Sequence, residues 1–317
     1  MTLTSGRRGP PAPDWFTTAL AQHPREGTIE VGGVSIAYAN WGTGEQTSSE
    51  PRPVVVLVHG AGAHTRWWSF TAPLLAEHCD VLALDLSGHG NSGHRQTYHL
   101  EGWADEVSAV ASTQAPGRPA LIVGHSLGAM VATAMLAREP AHHAGLVVVD
   151  SAIRRADAGR AGGRPPAKGD RPRRARRSVF GLSRTYSSRE MAIERFTPVP
   201  RQPVANSWAL RHIAEHSVLA HGDRWGWRFD PTIGTWTTDH PMEAYAGQLR
   251  EPVGVIRGQR SEIMTPDALS TLRELTGQPV PALSLSDAHH HLMLDRPLAL
   301  VTSIRVLWPL LTGRRPR

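Results

Sequence analysis

Short apolar runs recur along this 317-residue chain, and helix-like stretches lie between most of them. The run 54–58, Val-Val-Val-Leu-Val, is apolar at every position, which is typical of a strand buried on both faces of a parallel sheet. Parallel strands need long crossover connections, usually helices, so the alternation predicts a doubly wound α/β sheet. Residues 28–41 instead alternate with period two around Gly32 and Gly33, which predicts two leading antiparallel strands. The other predicted strands are 81–84, 121–123, 146–149, 253–256 and 282–285, and the predicted helices are 69–78, 102–112, 127–138, 266–275 and 297–311.

A serine flanked by glycines stands where one of these strands meets a helix. The segment Gly-His-Ser-Leu-Gly at 124–128 fits the pattern G-x-S-x-G and follows the apolar run 121–123. Its two glycines remove side chains that would collide with the strand and the helix on a sharp, strained turn. The backbone N–H of Leu127 would face a developing oxyanion at the N-terminus of the helix, where the dipole favours negative charge. The segment therefore predicts a nucleophilic serine at Ser126.

Three segments together resemble the α/β-hydrolase fold family. They are the serine turn at 124–128, His-Gly-Ala-Gly at 59–62 after the first buried strand, and Asp-Leu-Ser-Gly-His-Gly-Asn-Ser at 85–92 after the next one. The resemblance implies a mostly parallel eight-stranded sheet with a helical cap inserted after strand six. It also implies that the backbone N–H groups of Ala61 and Leu127 form an oxyanion hole.

Three consecutive histidines offer a base for the serine, whose hydroxyl is a poor nucleophile until its proton is removed. The segment 287–297, Asp-Ala-His-His-His-Leu-Met-Leu-Asp-Arg-Pro, resembles the family's G-H-x-x-x-x-[DE]-x-P segment. The spacing of seven positions to Pro297 implies, by that resemblance, that His290 is the catalytic histidine. Residue 289 is a histidine where the family usually has glycine, so the run 289–291 leaves the register open by one position.

A carboxylate is needed to fix the tautomer of that histidine and to stabilise its charged form. Glu262 ends the segment 255–262, which resembles the family's G-x-x-S-[DE] motif, and it is the expected acid. Asp150 follows the run 146–149, at a position that a minority of the family uses, and it is the alternative acid. As a purely structural residue, Asp150 could instead cap the turn after that strand. The expected catalytic set is Ser126, His290 and Glu262, with Asp150 as the alternative.

The histidines at 289–291 also raise the question of a metal site. Consecutive residues of an extended segment point to alternating sides, so they cannot all face one ion without a special turn. We therefore expect no metal and no cofactor.

The alternation of strands and helices stops between residues 151 and 250. This interval starts with an Arg-, Gly- and Pro-rich stretch and continues with a helix-like, Trp-rich stretch at 206–236. In the family that the chain resembles, an insertion at this place forms a cap over the nucleophile. The expected division is an N-terminal extension at 1–27, a core at 28–150 and 251–317, and a cap at 151–250.

Aromatic residues of the expected cap and of the first Gly-rich turn are candidates for the substrate pocket. The stretch 221–230 is rich in aromatic residues, which could line an apolar pocket or form the ordinary core of the cap. The candidate pocket residues are His59, Trp67, Trp68, His125, Trp225 and Trp227. Together they predict a small to medium apolar substrate.

Positive charge is concentrated in one segment. The formal net charge is +6, and arginines crowd the stretch 154–177 among glycines and prolines. That composition is typical of a solvated loop, and no recognised binding motif accompanies the charges, so we expect no nucleic-acid partner. No window reaches the roughly 18 apolar residues that a membrane span needs, and residues 1–27 lack a signal-peptide core. We expect a cytoplasmic protein with a small-molecule partner, and the oligomeric state stays open.

These expectations favour a serine hydrolase that cleaves a carboxylic ester, lactone or thioester through an acyl-enzyme on Ser126. Carbon–carbon bond hydrolases, perhydrolases and acyltransferases that share the scaffold would carry the same motifs, and they remain alternatives. Two other classes compete: a non-catalytic ligand receptor that keeps the pocket, and a nucleic-acid or partner-binding module built on 154–177. Each expected member of the catalytic set is present, which favours an enzyme over a receptor.

Overall fold

The structure is a computed structural model and describes residues 10–42, 52–139, 143–153 and 184–313. Within these residues the strands are β1 (Arg25–Val31), β2 (Val34–Asn40), β3 (Val54–Val58), β4 (Asp80–Leu84), β5 (Ala120–His125), β6 (Gly145–Val149), β7 (Val218–His221), β8 (Arg224–Trp227), β9 (Val253–Gly258) and β10 (Ala282–Leu285). Eight of them form one sheet in the order β1-β2-β4-β3-β5-β6-β9-β10. β2 pairs antiparallel with β1 and β4, and the other neighbours are parallel. The predicted mostly parallel eight-stranded α/β sheet is confirmed.

Helices cover both faces of this sheet because the side chains of each buried strand alternate between the faces. β3 is buried at every position. Its Val55 and Leu57 join the core that contains the helices at 72–76 and 297–312, whereas Val56 joins the core that contains the helices at 100–114 and 127–138. The helices are α1 (Asp14–Ala21), α2 (Ala72–Ala76), α3 (Leu100–Gln114), α4 (Leu127–Arg138), α5 (Arg189–Arg195), α6 (Ser207–His216), α7 (Met242–Gln248), α8 (Pro266–Thr276), α9 (Leu292–Asp295) and α10 (Pro297–Thr312).

The predicted helix at 69–78 is shorter in the structure. A single 3-10 turn forms at Thr65–Trp67, and α2 begins only at Ala72. Pro73 lies in the first turn of α2. A proline is tolerated there because its missing N–H has no partner inside the helix, and this favours a helix start just before it. The predicted helix at 127–138 has the observed limits of α4.

The Trp-rich stretch at 206–236 is helical only in its first third, so the prediction of a helix beyond His216 is wrong. After α6 the chain forms the hairpin β7–β8, followed by a 3-10 turn at Pro231–Thr235. Gly222 adopts φ +62° at the hairpin turn, a conformation that glycine accepts without strain. The pair Gly222 and Asp223 lies between two short strands and is a sequence signal for a hairpin. The prediction of a helix for the Trp-rich stretch overlooked this signal.

The segment 184–250 lies between β6 and β9 and packs against the loop that follows β3. Ile193 of α5 and Ile213 of α6 share one apolar core with Trp67 and Trp68. The expected cap therefore has described residues over the carboxyl ends of the strands, while the Arg-rich stretch 154–177 lies outside the described residues.

The expected N-terminal extension at 1–27 overlaps the folded core. β1 begins at Arg25, and α1 buries Phe16 against Phe70 and Trp208, with ring centroids 5.3 Å and 4.5 Å away. The exact division into extension, core and cap remains a prediction. Among the described helices, none combines the length and the apolar character that crossing a membrane requires.

Candidate active site

Ser126 lies on a sharp turn between the end of β5 and the start of α4. Its backbone has φ +51° and ψ −118°, which is a strained conformation for a residue with a side chain. A Cβ atom at Gly124 would collide with the backbone of Ala129, and one at Gly128 would collide with the carbonyl oxygens of Val58 and His59. The two glycines therefore let strand, turn and helix approach closely enough to present Ser126 at the sheet edge.

Two backbone N–H groups lie beside this serine. Leu127 is the first residue of α4, so its N–H has no acceptor within the helix and stands at the positive end of the helix dipole. Ala61 lines the same cavity as Ser126, on the turn that follows β3. A Cβ atom at Gly60 would lie 3.2 Å from Ser126 Cβ, so the turn can pass this close only with glycine at that position.

His59 fixes the turn that follows β3 through hydrogen bonds of both ring nitrogens. The Leu86 N–H donates to His59 Nε2 at 3.0 Å, so the other nitrogen, Nδ1, carries the proton and donates to Gly60 O at 2.8 Å. Burial lowers the pKa of His59, while the negative charge of Asp85 acts in the opposite direction. His59 is therefore an anchor of the turn, and it is not among the described residues that line the cavity.

His290 is bonded to a buried carboxylate and lines the same cavity as Ser126. Its Nδ1 lies 2.9 Å from Asp150 Oδ1, and the two side chains are 5% and 0% exposed. A carboxylate accepts hydrogen bonds, so Nδ1 carries a proton and Nε2 is the nitrogen that can take one up.

Asp150 stands directly after β6 and receives three hydrogen bonds. Besides the bond from His290, its Oδ2 accepts from the Gly258 N–H at 2.7 Å and its Oδ1 accepts from the Ser261 hydroxyl at 2.5 Å. Its own backbone has φ +46°, which is uncommon outside glycine. A buried carboxylate needs such donors because it has lost its hydration.

Glu262, the acid expected first from the sequence, occupies a different place. It is exposed on the turn after β9, whereas its neighbour Ser261 is buried and donates to Asp150. The structure thus brings the alternative acid, Asp150, to His290. The G-x-x-S-[DE] segment reaches the site through its serine and not through its glutamate.

The loop that carries His290 is held by hydrogen bonds on both sides of this residue, whose role as the base remains a prediction. Asp295 Oδ2 accepts from the His289 N–H at 2.7 Å and from Gln202 Nε2 at 3.0 Å. The Oε1 of Gln202 in turn accepts from the His291 N–H at 2.7 Å. Gln202 belongs to the segment 184–250, so this segment helps to hold the histidine loop.

Two further histidines surround His290. The Nε2 atom of His125 lies 3.0 Å from the His290 carbonyl oxygen. Burial, with the neighbouring His290 as a further cause, holds the pKa values of His125 and His291 well below the usual range. Both rings are therefore neutral near pH 7.

In the described part of the chain, His125, His290 and His291 offer ring nitrogens that lie within 4.8 Å of one another. The expected absence of a metal cofactor remains a prediction.

A cavity of about 740 Å³ opens above Ser126 and His290. Of the predicted pocket residues, Trp67, His125 and Trp227 line it. Trp68 is 1% exposed and belongs to the apolar core, and Trp225 lies two residues before Trp227 on β8, where it pairs with Tyr186. The sequence reasoning missed the lining residues Arg184, Tyr186, Arg195, Phe196 and Arg201, which lie on a stretch without a periodic pattern.

Residues 55–303 match the model of a family described as the Alpha/beta hydrolase family. The chain is 38% identical over 121 residues to a pimeloyl-[acyl-carrier protein] methyl ester esterase from Sodalis glossinidius, covering 38% of this chain and 42% of that protein. It is 33% identical over 130 residues to a monoacylglycerol lipase from Mycolicibacterium smegmatis, covering 39% and 45%. The chain thus spans less than half the length of these two relatives.

Longer matches exist at lower identity. Esterase Rv0045c from Mycobacterium tuberculosis is 25% identical over 277 residues, covering 86% of this chain and 85% of that protein. Its crystal structure superposes with a TM-score of 0.67 and 21% identity, covering 94% of this chain and 99% of that chain. A thioesterase domain from the curacin biosynthetic pathway superposes with a TM-score of 0.70 and 23% identity, covering 89% and 99%. These structures share the fold of the chain.

Proposed function

This chain belongs to the alpha/beta hydrolase family, and on that premise we propose that it is a carboxylic ester hydrolase that acts through an acyl-enzyme on Ser126. The observation that carries the proposal is the hydrogen bond from His290 to the buried Asp150, with His290 lining the cavity that also contains Ser126. The names of the relatives, which include esterases and a lipase, support ester hydrolysis.

In the acylation step, Ser126 Oγ attacks the ester carbonyl carbon while His290 Nε2 accepts the hydroxyl proton. The carbonyl oxygen becomes an oxyanion and accepts hydrogen bonds from the N–H groups of Ala61 and Leu127. When the tetrahedral intermediate collapses, the C–O bond to the alcohol breaks and His290 gives its proton to the leaving oxygen. The alcohol departs, and the acyl group remains on Ser126.

In the deacylation step, His290 accepts a proton from water, and the resulting hydroxide attacks the acyl carbon. Collapse of the second intermediate breaks the bond to Ser126 Oγ, which takes the proton back from His290. The carboxylic acid leaves and the resting enzyme is restored. The same two donors, Ala61 and Leu127, stabilise both oxyanions.

Asp150 has the role of the acid in this mechanism. It keeps the proton of His290 on Nδ1 and stabilises the imidazolium that forms in each step. The donors Gly258 and Ser261 hold its carboxylate in place. Residues 151–250 serve as the cap, and the aromatic part of the cavity wall suits a small to medium apolar group next to the ester.

Covalent labelling with a fluorophosphonate probe tests the nucleophile. We expect strong labelling of the wild type and none of Ser126→Ala, with a loss of at least about 10⁴-fold in kcat on p-nitrophenyl esters. Ser284→Ala changes an exposed serine on β10 and serves as the matched control, with full labelling expected. Undiminished labelling of Ser126→Ala would contradict the proposal.

A further inference from the structure

Three arginines line the cavity that contains Ser126: Arg184, Arg195 and Arg201. Each comes from a different part of the segment after β6. Arg184 begins the described segment, Arg195 ends α5, and Arg201 follows the loop at 197–200. All three are exposed, which is typical of side chains at the mouth of a cavity. Three separate stretches of backbone thus direct positive charge to one opening.

Among the described residues, these charges have no acidic counterpart at the cavity. Among the described residues that line it, none is an aspartate or a glutamate. Some arginines elsewhere form ion pairs, such as Arg66 with Glu26 and Arg138 with Asp105, whereas the exposed Arg25 and Arg250 form none with a described residue. The guanidinium groups of the three cavity arginines form no ion pair with any described residue.

The positive charge of two of these arginines acts on a side chain inside the cavity. Tyr186 lines the cavity, and burial raises the pKa of its phenol, whereas the charges of Arg184 and Arg195 oppose that rise. Two of the three arginines therefore act electrostatically on a group of the cavity wall. Clefts lined by one sign of charge and by apolar walls concentrate the field and attract ions of the opposite sign.

Apolar side chains also line the cavity. Phe196 and Trp227 line it, with ring centroids 5.8 Å apart, and Ala61 lines it on the opposite, core side. A ligand that satisfies both ends would place an ester at Ser126, an apolar chain along the aromatic rings, and an anion at the mouth. Guanidinium groups suit this task because they bind carboxylates and phosphates with two parallel hydrogen bonds.

We propose that the substrate is an anionic ester, in which a carboxylate or phosphate remote from the scissile bond binds to Arg184, Arg195 and Arg201. This inference rests on the proposed ester hydrolase function and narrows the expected apolar substrate to one with a charged end. The anion can belong to the acyl group, as in a monoester of a dicarboxylic acid, or to the leaving group, as in a phosphate-bearing thiol.

Two matched substrate pairs separate these sources. Mono-p-nitrophenyl glutarate and p-nitrophenyl pentanoate differ by a carboxylate in place of a methyl group on the acyl chain. S-Butyryl-4′-phosphopantetheine and S-butyrylpantetheine differ only by the terminal phosphate of the leaving group. We expect kcat/KM to be about tenfold higher for the anionic member of at least one pair, since one charge-assisted hydrogen bond has this effect.

The variants Arg195→Gln and Arg201→Gln connect the preference to the arginines. Each is expected to lower the ratio of anionic to neutral kcat/KM by about fivefold to tenfold, mainly through KM. Arg211→Gln is the matched control, because it removes the same charge from α6 at an exposed residue that does not line the cavity. Its ratio should equal that of the wild type. Raising the salt concentration should reduce the ratio for the wild type and for Arg211→Gln more than for the two cavity variants.

The outcomes distinguish this inference from the function on which it rests. A preference in the glutarate pair supports an anionic acyl group, and a preference in the phosphopantetheine pair supports an anionic leaving group. Equal rates within both pairs, together with normal probe labelling of Ser126, overturn the anionic substrate and leave the ester hydrolase in place. Absence of turnover and of labelling overturns both proposals.

Discussion

The carboxyl ends of the core strands and the segment 184–250 face the same cavity, but their polar groups differ in how firmly hydrogen bonds and ion pairs hold them. On the core side, Asp150 accepts three hydrogen bonds and His290 is fixed by one of them. On the segment side, Arg195 and Arg201 are exposed and free of ion pairs with the described residues. Proton transfer needs fixed geometry, whereas a flexible guanidinium can adjust to a ligand. The difference supports our proposals that the core carries out the reaction and that the segment selects the substrate.

The largest effect that the comparison predicts concerns the two acids. Asp150→Asn should lower kcat by about 10⁴-fold with little change in KM, because the amide cannot hold His290 in the correct tautomer. Glu262→Gln should leave kcat within about twofold, because this residue is exposed and away from the histidine. Both are measured as steady-state hydrolysis of a p-nitrophenyl ester, with circular dichroism to establish that each variant is folded.

The reverse result would break the division of roles. If Glu262→Gln lost activity while Asp150→Asn kept it, then the exposed turn after β9 would have to move to His290 in the working enzyme. The bond between Asp150 and His290 would then be structural only.

Much of the core could be predicted because local backbone demands determine it. Ser126 needs a strand before it, a helix after it and glycines on both sides, and all of these are visible within a few residues. The choice between Asp150 and Glu262 was harder because both follow neighbouring strands, β6 and β9. Their distance to His290 depends on how two turns orient, and a motif of a few residues does not contain that information.

The cavity wall could be predicted only in part. Trp225 and Trp227 are both tryptophans and lie two positions apart on β8, so they share a face of the strand, yet only Trp227 lines the cavity. Arg195 and Arg201 lie on exposed positions without periodicity, where sequence patterns do not tell which side faces a ligand. The three-dimensional fold of the segment decides which exposed residues face the opening of the cavity.

A smaller effect is expected on the segment side from the two tryptophans of β8. Trp227→Leu should raise KM for p-nitrophenyl hexanoate by about tenfold and change kcat little, because it removes aromatic surface from the wall but no group from the reaction. Trp225→Leu is the matched control on the same strand and should keep the wild-type KM. An equal rise in KM for both variants would mean that the hairpin as a whole supports the pocket.

The smallest expected effect concerns a hydrogen bond between the segment 184–250 and the core. His212 on α6 hydrogen-bonds through Nε2 to Ser69 Oγ at 2.7 Å, and Ser69 lies on the core loop after β3. Burial, with the positive charges of His216 and Arg66 as further causes, lowers the pKa of His212 to about 3. The ring is therefore neutral in the fold at a pH where the unfolded chain already takes up a proton.

The sign of the resulting pH dependence follows from this lowered pKa. The contribution of His212 to stability is present above the ordinary pKa of 6.5 and is lost as the pH falls toward about 3. His212→Gln keeps a donor for Ser69 but cannot be protonated. Between about pH 7.5 and pH 5.5, the free energy of unfolding in urea should therefore fall by about 1 kcal/mol less in this variant than in the wild type, after allowance for partial exposure. His23→Gln, at an exposed residue, should behave like the wild type. An unchanged pH dependence in His212→Gln would mean that solvent reaches the contact between His212 and Ser69 in the folded protein.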